Sequence, residues 1–294
     1  MGNPVRIELR TLPALVPGYV RAALSRKGPL RKGASIPRIE AVLGAVTPAP
    51  AKLDDYRRCC GFATGGKDLP VTYPMVLAGP LQLQILTSPA FPVKAMGIVH
   101  LSNLIIQHKP IPATASLAVR AWVDGHRERR GGIEFDLLTE VTVAGQKYWE
   151  SVTTIMSRQP GRKDLPKAAA DGPDEAAVSE KTSVWRLPED QGRRYAAVSG
   201  DYNPIHLYPW TAKMLGGFPH PIIHGMWSLA RAVAEMGDRV PTTGVRVFVE
   251  FKRPIFLPSA SVFSFGPENG GTRFTVRAIR TEKVSLTGTI TREA

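Results

Sequence analysis

The chain of 294 residues has little cysteine, few aromatic residues (7%) and no long apolar run. Its two cysteines, Cys59 and Cys60, are adjacent, a spacing that disfavours a disulfide between them and leaves no framework for an oxidising compartment. The richest apolar stretch, residues 76–86, is shorter than the roughly 18 residues that span a bilayer, and it contains Pro80. The first ten residues lack the apolar core of a secretory signal. We therefore expect a cytoplasmic protein that does not insert into membranes.

The composition that is present fits a globular enzyme. Hydrophobic residues make up 43% of the chain, and 26 prolines and 27 glycines indicate many loops. The length exceeds that of a typical domain of roughly 100–150 residues. One large domain or two ordinary ones are the alternatives.

Basic residues outnumber acidic ones by 38 to 25, which gives a formal net charge of +13. Nearly half of this excess lies in residues 1–40, where eight basic residues face two acidic ones. Such an N-terminal arm either keeps the protein soluble or contacts an anionic ligand, such as nucleic acid or coenzyme A. Because no basic motif is interleaved with aromatic residues, we expect no nucleic-acid partner.

Residues 159–182 divide the chain, since they lack aromatic residues and are rich in alanine, proline and charge. This segment is the predicted linker between an N-terminal unit (1–158), which includes the basic arm, and a C-terminal unit (183–294). In the C-terminal unit, apolar spacing predicts three helices and then four strands, at 191–198, 210–215, 224–236, 245–251, 260–265, 272–280 and 284–291. This order indicates an α+β fold in which a sheet wraps a long helix.

The N-terminal unit repeats the same order in degenerate form. Four of its segments resemble later ones: 54–62 with 189–200, 73–85 with 220–233, 108–112 with 251–255, and 153–158 with 288–293. Together they predict an internal duplication. The N-terminal copy has no counterpart of the segment SGDYNPIH, and Leu77 stands where the other copy has His224. We therefore expect catalysis in the C-terminal unit only.

The segment SGDYNPIH, residues 199–206, carries the candidate catalytic pair Asp201 and His206. Gly200 permits a positive φ before the aspartate, and Pro204 restricts the residue that precedes it. A carboxylate and an imidazole aimed at one point suit the activation of water. In isolation the pair would be typical of an Asx turn beside a loop histidine. Asn203 can orient the carboxylate or a ligand.

The second candidate element is the segment PIIHGM, residues 221–226, at the start of the long helix. The N–H of Gly225 is a candidate donor to a developing oxyanion, an interaction worth about 3–4 kcal/mol in other enzymes. His224 is either a capping or packing residue or part of the pocket.

Both segments resemble the MaoC-like (R)-specific enoyl-CoA hydratases: YAAVSGDYNPIHLYPWTA at 195–212 and GFPHPIIHGM at 217–226. The resemblance implies a double hotdog, in which two long central helices are wrapped by antiparallel sheet. It also implies reversible hydration of trans-2-enoyl thioesters to (R)-3-hydroxyacyl thioesters, a reaction of fatty-acid metabolism. On this basis Asp201 and His206 form the catalytic dyad and Gly225 polarises the thioester carbonyl. The expected substrate-binding residues are Gly225, Asn203, His224 and Ser199.

This chemistry needs no cofactor, because the conjugated thioester is itself the electrophile. We expect no metal, since the remaining histidines lack partners at ligand spacing. Coenzyme A and acyl carrier protein are both possible thioester carriers, and Lys252 and Arg253 are candidates for phosphate contact. An N-terminal unit without an active loop leaves room for medium or long acyl chains. A homodimer of such chains is possible, and the alternative functions are a hotdog thioesterase and a non-catalytic acyl-thioester binding protein.

Overall fold

A computed structural model of the chain describes residues 5–31, 33–159 and 180–293. The helices of this described part are α1 (Leu15–Leu24), α2 (Pro50–Cys60), α3 (Pro74–Thr87), α4 (Gln191–Ser199), α5 (Pro209–Gly216) and α6 (Gly225–Met236). Its strands are β1 (Val5–Leu9), β2 (Ile39–Val46), β3 (Ile98–Gln107), β4 (Leu117–Val123), β5 (Arg127–Arg129), β6 (Gly132–Val143), β7 (Gln146–Arg158), β8 (Lys181–Leu187), β9 (Val245–Phe251), β10 (Ser259–Glu268), β11 (Gly271–Ala278) and β12 (Val284–Arg292). Short 3-10 turns cover Pro204–His206 and Gly237–Arg239.

The strands form one sheet in the order β1-β2-β4-β6-β7-β3-β9-β12-β11-β10-β8, with β5 paired to β6. The pair β1 and β2 is parallel, and the others are antiparallel. Strands β3 and β9 pair at the centre, with Ser102 opposite Glu250 and Gln107 opposite Val245. Because β2 to β7 lie on one side of this junction and β9 to β12 and β8 on the other, the two halves share a continuous sheet.

Each half carries one central helix against its strands. Helix α3 packs on β2, β4 and β6 and is apolar on nearly all sides, as expected of a buried helix. In the other half, the α6 residue Trp227 packs edge-on against Trp185 of β8, with ring centroids 5.8 Å apart. The Trp185 indole donates to Glu235 of α6 at 2.9 Å. These contacts confirm the predicted α+β class with two central helices wrapped by antiparallel sheet.

The seven elements predicted after residue 190 are all present, with bounds that differ by at most three residues. Strand β9 has the predicted bounds, whereas β10 extends further at its C-terminal end. Residues 160–179 of the predicted linker lie outside the described residues. Lys181 and Thr182, which the sequence assigns to the linker, form the start of β8 and pair with β10.

The described part of the N-terminal arm is folded onto the half of the molecule formed by α2, α3 and β2 to β7, which we call the front half. Strand β1 lies parallel to β2 at the edge of the sheet. Helix α1 buries Leu15, Gly18 and Ala22, and a Cβ built on Gly18 would lie only 2.5 Å from Leu83 of α3. The basic side chain of Arg21 stays exposed and donates to Gln84 of α3 at 3.1 Å. Among the described residues, no helix is both long and apolar enough to span a membrane.

Candidate active site

Two glycines shape the loop that carries Asp201. One lies in the first turn of α4, and the other ends that helix. Gly200 ends the helix in the left-handed conformation (φ 75°), and its N–H donates to the Ala196 carbonyl at 2.8 Å. Gly192, in the first turn of α4, lies under the 3-10 turn, and a Cβ built there would be 2.0 Å from the carbonyl oxygen of His206. Only glycine allows α4 to approach the turn this closely.

The carboxylate of Asp201 is held from two sides. Its Oδ1 accepts hydrogen bonds from the phenol of Tyr19 and from the Asn203 N–H, the latter at 3.1 Å. Burial by itself would raise the pKa of the Asp201 carboxyl, but His224, His206 and these two donors outweigh it and lower the pKa. The side chain nevertheless keeps 40% of its accessible surface, because it lines a cavity. It is therefore an ionised acceptor that a ligand can reach.

His206 is neutral, and its hydrogen bond fixes one tautomer. Its Nδ1–H donates to the carbonyl of Ile222 at 2.7 Å, so that the lone pair is on Nε2. Burial, reinforced by the neighbouring His224, lowers the pKa of His206 to about 3. The imidazole is thus unprotonated at neutral pH and available to accept a proton.

His224 occupies the N-cap position of α6 and is 2% exposed. Its ring stacks on His206 with centroids 3.7 Å apart, and its Nε2–H donates to the Asp201 backbone carbonyl at 2.9 Å. Burial lowers the pKa of His224 as well. Its Nδ1 has no hydrogen-bond partner among the described residues. His224 therefore fixes the start of α6 against the loop that carries Asp201.

The polar atoms of Asp201, His206 and His224 all lie within 4.8 Å of one another. One water molecule with hydrogen bonds of about 2.8 Å spans such a separation. A metal ion would also need this closeness, but each imidazole already gives one nitrogen to a backbone carbonyl. Stacked rings also differ from the converging ligands of a tetrahedral zinc site. A reaction without a metal stays a prediction.

A cavity of about 510 Å³ opens beside these side chains and extends into the front half. From the C-terminal half it is lined by Asp201, Asn203, His206, His224, Gly225 and Phe251, among others. From the N-terminal half it is lined by Tyr19, the α3 residues Met75, Val76, Gly79, Gln82, Leu83 and Leu86, and His100, Leu137, Thr153 and Ile155. The front-half contribution is mainly apolar, which suits a hydrocarbon chain.

Gly225 is the first residue of α6, and its N–H belongs to the group that has no acceptor within the helix. A Cβ at this position would lie 2.7 Å from the ring of Phe251. The aromatic ring thus packs directly on the helix start, and the site can present a backbone donor without a side chain to shield it.

Comparison with known proteins decides the family. Residues 165–287 match the sequence model of a protein family, the MaoC like domain. The 3-hydroxyacyl-thioester dehydratase X of Mycobacterium tuberculosis is 32% identical over 281 residues, which cover 95% of this chain and 99% of that protein. The chain belongs to the MaoC-like dehydratase family. It is accordingly a hydro-lyase.

A solved structure and a second curated relative agree with that assignment. The crystal structure of HtdX from M. tuberculosis superposes with a TM-score of 0.75 at 33% identity, covering 86% of this chain and 99% of that one. The peroxisomal enoyl-CoA hydratase 2 of Arabidopsis thaliana is 27% identical over 158 residues, 49% of this chain and 50% of that protein. The predicted membership of this family is confirmed.

The fold brings most of the predicted site residues of this dehydratase to one cavity: Asp201, His206, Asn203, His224, Gly225, Lys252 and Arg253. Ser199 is placed differently, because it supports the loop from behind. Its hydroxyl donates to the Tyr195 carbonyl at 2.8 Å and accepts the Asp201 N–H at 3.1 Å. The Ser199 hydroxyl therefore positions Asp201 and is not among the groups that line the cavity.

Lys252 and Arg253 directly follow β9, at the edge of the cavity. Their backbone N–H groups both donate to the Ser285 carbonyl, at 2.8 and 3.0 Å. The Arg253 guanidinium donates to the Val284 carbonyl at 2.7 Å. Contact with a phosphate stays a prediction for both side chains.

Sequence reasoning missed Tyr19 and His100, which the front half contributes to the site. His100 lies 4.7 Å from the ring of Phe251, and burial lowers its pKa to about 4. A signal for His100 existed, because the match of residues 108–112 with 251–255 makes β3 the counterpart of β9, and equivalent strands meet at the centre of a double hotdog. Tyr19 lies in no repeat or motif, and only the docking of α1 brings it to Asp201.

Proposed function

We propose that this protein catalyses the reversible addition of water to trans-2-enoyl thioesters, giving (R)-3-hydroxyacyl thioesters. The observation that carries the proposal is the pairing of a neutral His206, with its Nε2 lone pair free, and an ionised Asp201 beside the start of α6. The names of the M. tuberculosis and Arabidopsis relatives support the same reaction type.

In the proposed mechanism the thioester carbonyl accepts a hydrogen bond from the Gly225 N–H, and a water molecule lies between Asp201 and His206. The water oxygen bonds to the β-carbon while one of its protons moves to the dyad. The electron pair of the carbon–carbon double bond shifts toward the carbonyl, and the resulting enolate is stabilised by the N–H of Gly225. The dyad then returns the proton to the α-carbon on the same side, so that one H and one OH have been added.

The acyl chain is proposed to extend from the dyad into the front half, along α3. Residues 75–86 line the cavity over about three turns of this helix, which is roughly 16 Å of length at 1.5 Å per residue. The front half has no polar loop in this place, because Leu77, the repeat counterpart of His224, is buried within α3. Medium or long chains therefore suit the cavity better than a four-carbon chain.

The carrier is proposed to be anionic, either coenzyme A or an acyl carrier protein. The net charge of +13 and the positions of Lys252 and Arg253 at the edge of the cavity support this class of ligand. On this proposal the units 1–158 and 183–294 act as one site, with the acyl pocket mostly in the first and the dyad in the second.

The test is a hydration assay with enoyl-CoA substrates on the wild type and on Asp201→Asn and His206→Ala. Each substitution removes a group that holds the water or takes its proton, and we expect kcat to fall by at least about 10²-fold, the usual contribution of an acid–base residue. Circular dichroism and the melting temperature should show that both variants are folded. Near-normal hydration by either folded variant would overturn the proposal, as would thiol release from saturated acyl-CoA, which marks a thioesterase.

A further inference from the structure

Helix α1 is docked so that one face reaches the catalytic loop. Leu15 contacts the loop at Gly200, because its Cδ1 lies 3.0 Å from a Cβ built on that glycine. One turn later Gly18 packs on Leu83 of α3. These two contacts fix the helix between the front half and the loop. Tyr19, which directly follows Gly18 and is one turn after Leu15, lines the cavity.

The phenol of Tyr19 donates to Oδ1 of Asp201, across 182 positions of sequence. The Asn203 N–H donates to the same oxygen, so that Oδ1 is fully engaged. The other carboxylate oxygen, Oδ2, lies 3.9 Å from the His224 Nε2. A water molecule at the dyad must therefore use Oδ2.

We propose that Tyr19 is a positioning residue for catalysis: its hydrogen bond to Oδ1 keeps the Asp201 carboxylate turned so that Oδ2 faces the water. This inference rests on the proposed function of the dyad. It gives the N-terminal helix a role in the chemistry of the C-terminal half, beyond the contribution of basic charge.

Other titratable groups face Asp201 from the surrounding elements, and they stay in place when Tyr19 is changed. They are Tyr195 of α4, His206 of the 3-10 turn, His224 at the start of α6 and His100 of β3. Burial raises the pKa of Asp201, and the imidazoles, the phenol and the Asn203 N–H lower it. Loss of the phenol alone removes one of the lowering contributions, and the pKa of Asp201 must then rise.

The experiment is Tyr19→Phe, which keeps the ring and removes the hydroxyl. We expect kcat for enoyl-CoA hydration to fall roughly ten- to a hundredfold, the range of a lost hydrogen bond to a charged group, with little change in KM. The acid limb of the profile of kcat/KM against pH should move to higher pH. Val20→Ala, on the exposed face of the same helix, is the matched control and should leave both readouts unchanged.

A double-mutant cycle tests whether Tyr19 acts through Asp201. In the Asp201→Asn background, Tyr19→Phe should cause less than about a twofold further loss, because the two changes affect the same group. The proposal is overturned if Tyr19→Phe lowers only the melting temperature and leaves the acid limb in place, or if the losses simply multiply. Wild-type hydration by Asp201→Asn would instead overturn the proposed function of the dyad.

Discussion

His206 and Asp201 show how burial and hydrogen bonding set protonation states at the scale of single residues. The Ile222 carbonyl fixes the tautomer of His206, and its buried position keeps the imidazole neutral. Asp201 stays ionised although burial opposes this, since two donors and two imidazoles surround it. In the proposed reaction both groups therefore enter as acceptors, which is the state that water activation requires.

A level pH profile follows from these protonation states. An ordinary histidine base with a pKa of 6.5 would lose half of its activity at that pH, whereas the pKa of His206 is lowered to about 3 and that of Asp201 lies below 3.8. Since activity is lost only as pH falls through these lowered values, kcat/KM should change less than about twofold between about pH 8 and pH 5.5. Initial rates in buffers of constant ionic strength check this, with circular dichroism at each pH as the control for folding. A midpoint near pH 6.5 would contradict it.

The motif SGDYNPIH was sufficient to predict that Asp201, Asn203 and His206 lie at one cavity, because local chain geometry brings these residues together. Their catalytic roles stay predictions. It was not sufficient for Tyr19 or His100. Their proximity to Asp201 depends on the docking of α1 and on the pairing of β3 with β9, which are contacts between distant segments. Ser199 shows the limit within the motif itself, since the spacing does not reveal that its hydroxyl points back to Tyr195.

At the scale of elements, the site depends on close packing of α4 under the 3-10 turn. Gly192 is buried where the backbone of His206 passes over it. The elements themselves were largely predictable, since apolar periodicity marks α4, α6 and β9 to β12. Strand β8 was not, because it directly follows a segment of linker composition.

Replacement of Gly192 by alanine should displace His206. The added methyl group would lie 2.0 Å from the His206 carbonyl oxygen, so the 3-10 turn must shift, at a cost of about 1–3 kcal/mol in the free energy of unfolding. We expect a lower melting temperature and at least a tenfold lower kcat, on the order of the effect of a small misplacement in an active site. Gly44→Ala is the matched control, since that position in β2 is exposed and a Cβ there meets nothing within 4 Å. Equal kcat in both variants would contradict this account of the loop.

At the scale of the whole molecule, the pairing of β3 with β9 joins the dyad of one half to the apolar cavity of the other. The sequence repeat predicted two similar units, and the four matched pairs of segments fall on equivalent places in the two halves. Helix α3, however, begins at Pro74, about one turn earlier than its counterpart α6, relative to the repeat. The front half therefore has continuous helix at the place where the C-terminal half has the start of α6.

Chain-length preference tests the proposed use of that cavity. Gly79 lies in α3 with nothing within 4 Å of a built Cβ, and it lines the cavity. Gly79→Leu should fill this space and exclude the distal part of a long acyl chain. Each methylene that loses its buried place costs about 0.8 kcal/mol, or roughly fourfold in kcat/KM.

A series of enoyl-CoA substrates measures the effect, and the four-carbon substrate, which should be unaffected, is the internal control. Uniform loss at all chain lengths, or strict preference of the wild type for four carbons, would contradict the proposed acyl path.

The most direct test of the central claim is product analysis after reaction in water labelled with heavy oxygen. The dyad is proposed to deliver water to the β-carbon of the enoyl group. Mass spectrometry should therefore show one heavy oxygen in the 3-hydroxyl group of an intact thioester, and chiral separation should show the (R) product. Asp201→Asn and His206→Ala should show almost none of this product. Heavy oxygen in a free carboxylic acid, with release of the thiol, would place the attack at the thioester carbonyl and contradict the account.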